Sequence, residues 1–170
     1  MSGRGTPAIL ALDRARVAYA VHDYDAAAPL PASATGGPRD RHVGYGERTA
    51  AALGIDPARV HKTLIALVDG RLVAAVVPVD RELDLKALAA AVGGRRAEMA
   101  DPGAAERSTG YVVGGISPFG QKRSLRTVVD AAAVAHATVL VSGGRRGLQV
   151  ELDPADVVRL TGAVVAAISR

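Results

Sequence analysis

At 170 residues the chain is long enough for one domain with a substantial core, and its 49% hydrophobic content must build that core from Ala, Val, Leu and Ile, because only 3% is aromatic. A single Phe and four Tyr argue against a binder of single strands that works through aromatic platforms, and the absence of Cys excludes disulfides, thiolate catalysis and Cys-ligated zinc. A net charge of +4 and a pI near 9.8 permit an RNA partner without requiring one.

Thr6-Pro7 followed by Ile9, Leu10 and Leu12 reads as an N-capped helix with proline in its first turn. Val17 to Tyr24 alternates as a strand, with the phenol of Tyr24 at its end. Residues 25–44 are rich in Ala, Pro and Gly, which predicts a mobile loop or flap within one domain spanning 1–170 rather than a linker between two. The N-terminus lacks the apolar core of a signal peptide, and no run approaches the roughly 18 apolar residues of a membrane span. A cytoplasmic protein is expected.

Tyr45 to Leu53 predicts a short helix closed by Gly54. The apolar arms Val60–Val68 and Arg71–Pro78, joined by Asp69-Gly70, form the strongest hairpin signal in the chain and read as interior strands covered on both faces. Lys62 lies in the first arm, and only three of the 21 basic residues are Lys. A lysine there either snorkels to the surface or meets a charged partner; as a functional group it offers three donors and a positive charge to a phosphate, a carbonyl or a developing oxyanion.

A helix over Asp84–Val92, a short strand around Ala97–Met99 and a capped helical turn from Asp101 to Arg107 follow. Tyr111-Val112-Val113 reads as a strand interrupted by Gly114-Gly115-Ile116-Ser117-Pro118-Phe119-Gly120, a stiff loop with bare amides beside Lys122 and Arg123. Such a loop can line a pocket for an anionic ligand; two adjacent glycines equally suit a bulge or a tight corner in a sheet. Strands over Thr127–Asp130 and Thr138–Ser142 flank an Ala-rich helical turn. Gly143-Gly144-Arg145-Arg146-Gly147 reads as a hairpin turn with exposed arginines leading into Leu148–Leu152, and a final helix begins after Asp153-Pro154. Many strands with short interspersed helices predict an α/β (α+β) fold with a mixed, partly closed sheet.

Catalytic signatures are sparse. His22, His42, His61 and His136 lack the i, i+4 spacing that presents two imidazoles to one metal, so no metal site is expected. Ser117 lies outside any Gly-x-Ser-x-Gly elbow and has no base in view.

Six segments in register nevertheless carry a resemblance: Val60-His61-Lys62-Thr63-Leu64, Leu83-Asp84-Leu85-Lys86, Glu98-Met99-Ala100-Asp101-Pro102, Arg107-Ser108-Thr109-Gly110-Tyr111, Val113 through Lys122, and Ser142 through Leu148. Together they resemble the YbaK family of Cys-tRNA(Pro) deacylases, relatives of the editing domain inserted in bacterial prolyl-tRNA synthetase, over a span from about Thr6 to the C-terminus. The resemblance implies a trans-editing enzyme that removes cysteine wrongly attached to tRNA(Pro), with no cofactor. In that family the substrate's own thiol is thought to attack its ester carbonyl. The enzyme then supplies orientation and electrostatics, which explains the missing nucleophile.

By the same resemblance Lys62 matches the family's essential lysine, and Gly114 with Pro118 matches a Gly-x-x-x-Pro loop that contacts the aminoacyl-adenosine end, which brings in Gly115, Ile116 and Ser117. Tyr24 matches a tyrosine near the pocket, and Tyr45 stands where many relatives have Phe. Gln149 departs from the pattern, since well-known members carry Asp there. The implied partners are the acceptor end of mischarged tRNA(Pro) and, as a further candidate, prolyl-tRNA synthetase; neither a membrane nor DNA is expected. The competing readings are editing of another mischarged species such as Ala-tRNA(Pro), a non-catalytic tRNA-binding module, and a regulatory partner of the synthetase.

Overall fold

A two-residue turn organises the largest sheet. Asp69 (φ 48°) and Gly70 (φ 82°) both adopt positive φ, the signature of a type I′ turn, and pair β2 (His61–Val68) with β3 (Arg71–Pro78) antiparallel over their full lengths. The Asp69 carboxylate also accepts hydrogen bonds from the backbone N–H groups of Arg95 and Arg96, each at 3.0 Å, which ties the turn to the approach of β4 (Ala97–Met99). In the computed structural model, which describes residues 5–27 and 44–170, a five-stranded sheet runs β4-β2-β3-β5-β8, with β5 at Arg126–Asp130 and β8 at Val164–Ala166. The β3–β5 and β5–β8 pairs are parallel, so the sheet is mixed.

A second, three-stranded antiparallel sheet has the order β1-β7-β6, formed by Ala20–Asp23, Leu148–Leu152 and Val139–Ser142 respectively. The sheets meet where Val60 bridges Leu140 in parallel. Five helices complete the described fold: α1 (Pro7–Ala15), α2 (Tyr45–Leu53), α3 (Leu85–Ala91), α4 (Pro102–Thr109) and α5 (Pro154–Thr161). Their starts follow from local chemistry. Thr6, Asp84, Asp101 and Asp153 each accept a hydrogen bond from a first-turn N–H, and Pro7, Pro102 and Pro154 occupy first-turn positions where a missing donor costs nothing.

Two cores lie on either side of the larger sheet. One gathers Leu12, Val76, Tyr111, Phe119, Leu148 and Val150 with other small aliphatics; the other gathers Val77, Leu88, Val128 and Ile168. The expected mixed sheet with interior β2 and β3 is present, and among the described residues it divides into two sheets. The predicted loop over 25–44 lies largely outside the described residues.

Two expectations need correcting. Tyr111-Val112-Val113 is not a strand: Gly110 ends α4, and Tyr111 turns into the core, where its hydroxyl donates to the Phe119 carbonyl at 2.7 Å and burial pushes its pKa up to about 12. Val112 and Val113 are exposed, and the Gly115 N–H donates to the Val112 carbonyl at 2.9 Å, so the run closes a turn instead of pairing with a neighbour. The strand expected over Val17–Tyr24 shortens to β1 at Ala20–Asp23, because α1 ends with Arg16 in the left-handed region and the next residues only return the chain.

Candidate active site

The register leaves a gap on one edge of β2. β4 covers that edge only at Ala66–Val68 and the second sheet touches it at Val60, so among the described residues no strand pairs there in between. A cavity of about 390 Å³ opens at this gap, walled by Val60 to Ile65, by Tyr45 and Thr49 of α2, by Met99, Ala100 and Pro102, by Val113, Gly114 and Ile116, and by Ser142 and Gln149. Lys62 is half-buried in the wall and is its one charged side chain; no described Asp or Glu lines the cavity, and no described carboxylate pairs with Lys62. The space is therefore cationic and suited to an anion or a polarised oxygen.

The polar atoms around it follow from proton bookkeeping. Thr49 has one hydroxyl proton, donated to the Tyr45 carbonyl at 3.1 Å, so at 2.6 Å the Tyr24 hydroxyl must be the donor to Thr49 Oγ1. The Tyr45 hydroxyl then donates to Tyr24 at 3.1 Å and accepts from the Gly147 N–H at 3.1 Å. One directed chain thus joins the end of β1, α2 and the β6–β7 hairpin. Burial first, then the Tyr24 hydrogen bond, pushes the Tyr45 phenol's pKa well up, so it stays neutral.

His61, 3% exposed, is held by the contact of Nδ1 with the Arg59 carbonyl at 3.2 Å, which can only accept. Burial holds the imidazole below its ordinary pKa. The neutral ring therefore keeps its proton on Nδ1 and presents Nε2 as a bare acceptor. Nε2 has no partner, and neither do Thr63 Oγ1 or Gln149 Oε1, although all three residues are buried and all three contribute to the cavity wall.

The glycine loop and the arginine hairpin interlock beside the cavity. Arg146 donates from Nε (3.2 Å) and Nη2 (2.7 Å) to the Val113 carbonyl and lies 5.6 Å from the centre of the Tyr45 ring. Ser142 Oγ donates to the Gly115 carbonyl at 3.0 Å. Glycine is required by close approach: a Cβ on Gly115 would lie 2.9 Å from the Arg145 Cα, and one on Gly114 (φ 90°) 2.7 Å from Arg146 Nε.

Of the residues singled out from the sequence, Lys62, Tyr45, Gly114, Ile116 and Gln149 share this one cavity. Tyr24 stands behind it, acting on the wall through Tyr45 and Thr49. Gly115 backs the wall through its carbonyl. Ser117 is fully buried, and its Oγ accepts the Phe119 N–H at 3.2 Å, a local turn bond. Pro118 lines a different cavity of about 240 Å³ with Phe119 and Leu160. Sequence reasoning missed His61 and Thr63, which flank Lys62 in the same strand, and gave Arg146 no role beyond an exposed turn.

The profile of the aminoacyl-tRNA editing domain family matches residues 42–160. EbsC of Enterococcus faecalis, whose name carries an inferred Cys-tRNA(Pro)/Cys-tRNA(Cys) deacylase activity, is 40% identical over 124 residues, covering 72% of this chain and 76% of that protein. The Escherichia coli protein named multifunctional Ser/Thr-tRNA deacylase ProXp-y is 34% identical over 52% of this chain and 55% of its own length. The proline–tRNA ligase of Moorella thermoacetica is 36% identical over 98 residues, only 17% of that enzyme. In three dimensions the chain is similar to a crystal structure described as an inferred trans-editing enzyme for prolyl-tRNA synthetase, with a TM-score of 0.74 at 23% identity, covering 96% of this chain and 95% of the other, which is a likeness of fold. An unpaired lysine and a glycine loop sharing one cavity, the profile match and the 40% identical relative agree. The chain belongs to the aminoacyl-tRNA editing domain family, the YbaK family of aminoacyl-tRNA deacylases.

Proposed function

We propose that this chain is a single editing domain acting in trans in the cytoplasm, where it clears cysteine from Cys-tRNA(Pro). The observation that carries this reading is an unpaired ammonium, Lys62, beside Gly114 in a cavity whose described wall holds no carboxylate and no nucleophile paired with a base. A site without its own nucleophile suits a substrate that brings one. The cysteine sulfur bonds to its own ester carbonyl carbon, the bond from that carbon to the ribose oxygen breaks, and the thiol proton ends on that oxygen. A thiolactone leaves and water later opens it; no cofactor enters.

In this reading Lys62 stabilises the carbonyl oxygen as charge develops on it, or anchors the terminal phosphate, and the wall around Gly114, backed by Gly115, orients the acylated ribose. Tyr24 and Tyr45 hold α2 against that wall. The partner is the acceptor end of mischarged tRNA(Pro), with prolyl-tRNA synthetase as the protein that would deliver it.

A panel of tRNA(Pro) carrying cysteine, serine, threonine or alanine tests the proposal. Cysteine should be released fastest. Equal rates for serine or alanine would rule out thiol assistance and assign a water-based activity instead, as the likeness to the Ser/Thr-tRNA deacylase would favour. Tight tRNA binding with no release of any acyl group would make the chain a binding module.

A further inference from the structure

Every aminoacyl ester carries an α-amino group, and a site that reads this group as a cation supplies an anion for it. The described wall of this cavity supplies none. Its charged side chain is Lys62, of the same sign as an ammonium. What it does supply is neutral: Thr63, 8% exposed with Oγ1 unpartnered, and Gln149, 5% exposed with Oε1 unpartnered. Buried polar atoms without partners are costly, and two of them in one cavity wall mark a place where a ligand group completes the hydrogen bonding. His61 Nε2 adds a third unpaired acceptor to the same wall. A hydroxyl and a carboxamide each accept and donate, so they match an uncharged group that does both.

We propose that Thr63 and Gln149 form a neutral subsite that takes the α-substituent of the acyl group as an uncharged hydrogen-bonding group, and that the chain therefore also deacylates α-hydroxyacyl-tRNA. This rests on the deacylase reading above. The added reaction has the same balance: in the hydroxy counterpart of a cysteinyl ester, sulfur bonds to the carbonyl carbon, the ribose C–O bond breaks, and the thiol proton passes to the ribose oxygen. The α-hydroxyl stays intact.

The test compares cysteinyl-tRNA(Pro) with 2-hydroxy-3-sulfanylpropanoyl-tRNA(Pro), prepared on the same tRNA, using the full wild-type chain. The expected kcat/KM values agree within about threefold, less than the roughly tenfold that loss of one charge-assisted hydrogen bond produces. Gln149→Glu, which adds a carboxylate of the same shape, should shift the ratio at least about tenfold toward the amino substrate. Release of cysteine with a loss greater than tenfold on the hydroxy ester would overturn the inference while leaving the deacylase reading standing. Failure to release cysteine would instead remove the reading on which it rests.

Discussion

Gly115→Ala tests whether the glycine loop is seated on the arginine hairpin as described. The new Cβ would lie 2.9 Å from Arg145 Cα and 3.0 Å from both Arg145 C and Arg146 N. These are backbone atoms, so no rotamer change relieves the clash, and ordinary contact at about 3.5 Å requires a separation of roughly 0.6 Å. That movement stretches the Ser142-to-Gly115 hydrogen bond and pulls Arg146 from the Val113 carbonyl, both at the cavity wall. Overpacking of this kind costs about 1–3 kcal/mol. At about 2–4 °C per kcal/mol for a chain of this length, Tm should fall by roughly 2–12 °C. The assay pairs thermal unfolding by circular dichroism with kcat/KM for the best acyl-tRNA at 25 °C, where the variant remains folded. kcat/KM should fall as well. Gly54→Ala is the control: it has no atom within 4 Å of the new Cβ but a φ of 65°, so it loses about 1–2 kcal/mol to backbone strain and keeps its activity. A Gly115→Ala protein with wild-type Tm and kcat/KM would refute the packing argument.

Two further predictions concern protons. Hydrogen bonds from the Thr138 hydroxyl, then His22, and then Arg59 hold the Glu151 carboxyl below its ordinary pKa. A depressed carboxylate stabilises the fold above its unfolded pKa of about 4.3 and loses that contribution as pH falls through the folded value. The Tm difference between wild type and Glu151→Gln should therefore shrink on acidification below about pH 4.3, and parallel Tm curves would contradict the assignment. The His61 imidazole, lowered chiefly by burial, should titrate below about 6.5 by NMR. Because the unfolded chain binds that proton more readily, stability declines as pH drops below about 6.5; titration at or above that value would contradict a bare Nε2.

Where structure was readable in the sequence, the cause was local. Asp69-Gly70 specifies its own turn, and Thr or Asp followed by Pro specifies three helix starts, since cap and orphan N–H lie within three residues. Tyr111-Val112-Val113 misled because β-branched residues beside a tyrosine look like a strand, whereas only a free sheet edge can make one, and no neighbour pairs with them. At the site, Lys62 and Gly114 were legible through motif spacing. The chain from Gly147 through Tyr45 and Tyr24 to Thr49 was not, because it depends on how α2 docks against the β6–β7 hairpin. Arg146 read as an idle surface residue for the same reason: its contacts with Tyr45 and Val113 are tertiary. The neutrality of the cavity wall emerged only when distant strands were brought together, with Thr63 on β2 and Gln149 on β7.

Single-turnover release of cysteine from Cys-tRNA(Pro) by Lys62→Met, compared with wild type, tests the central claim most directly. Methionine keeps most of the length and removes the charge, so the cavity stays filled while its electrostatics change. Loss of one preorganised electrostatic contact predicts a rate lower by about 10²–10³-fold with Tm little altered. A wild-type rate in that variant would contradict the account.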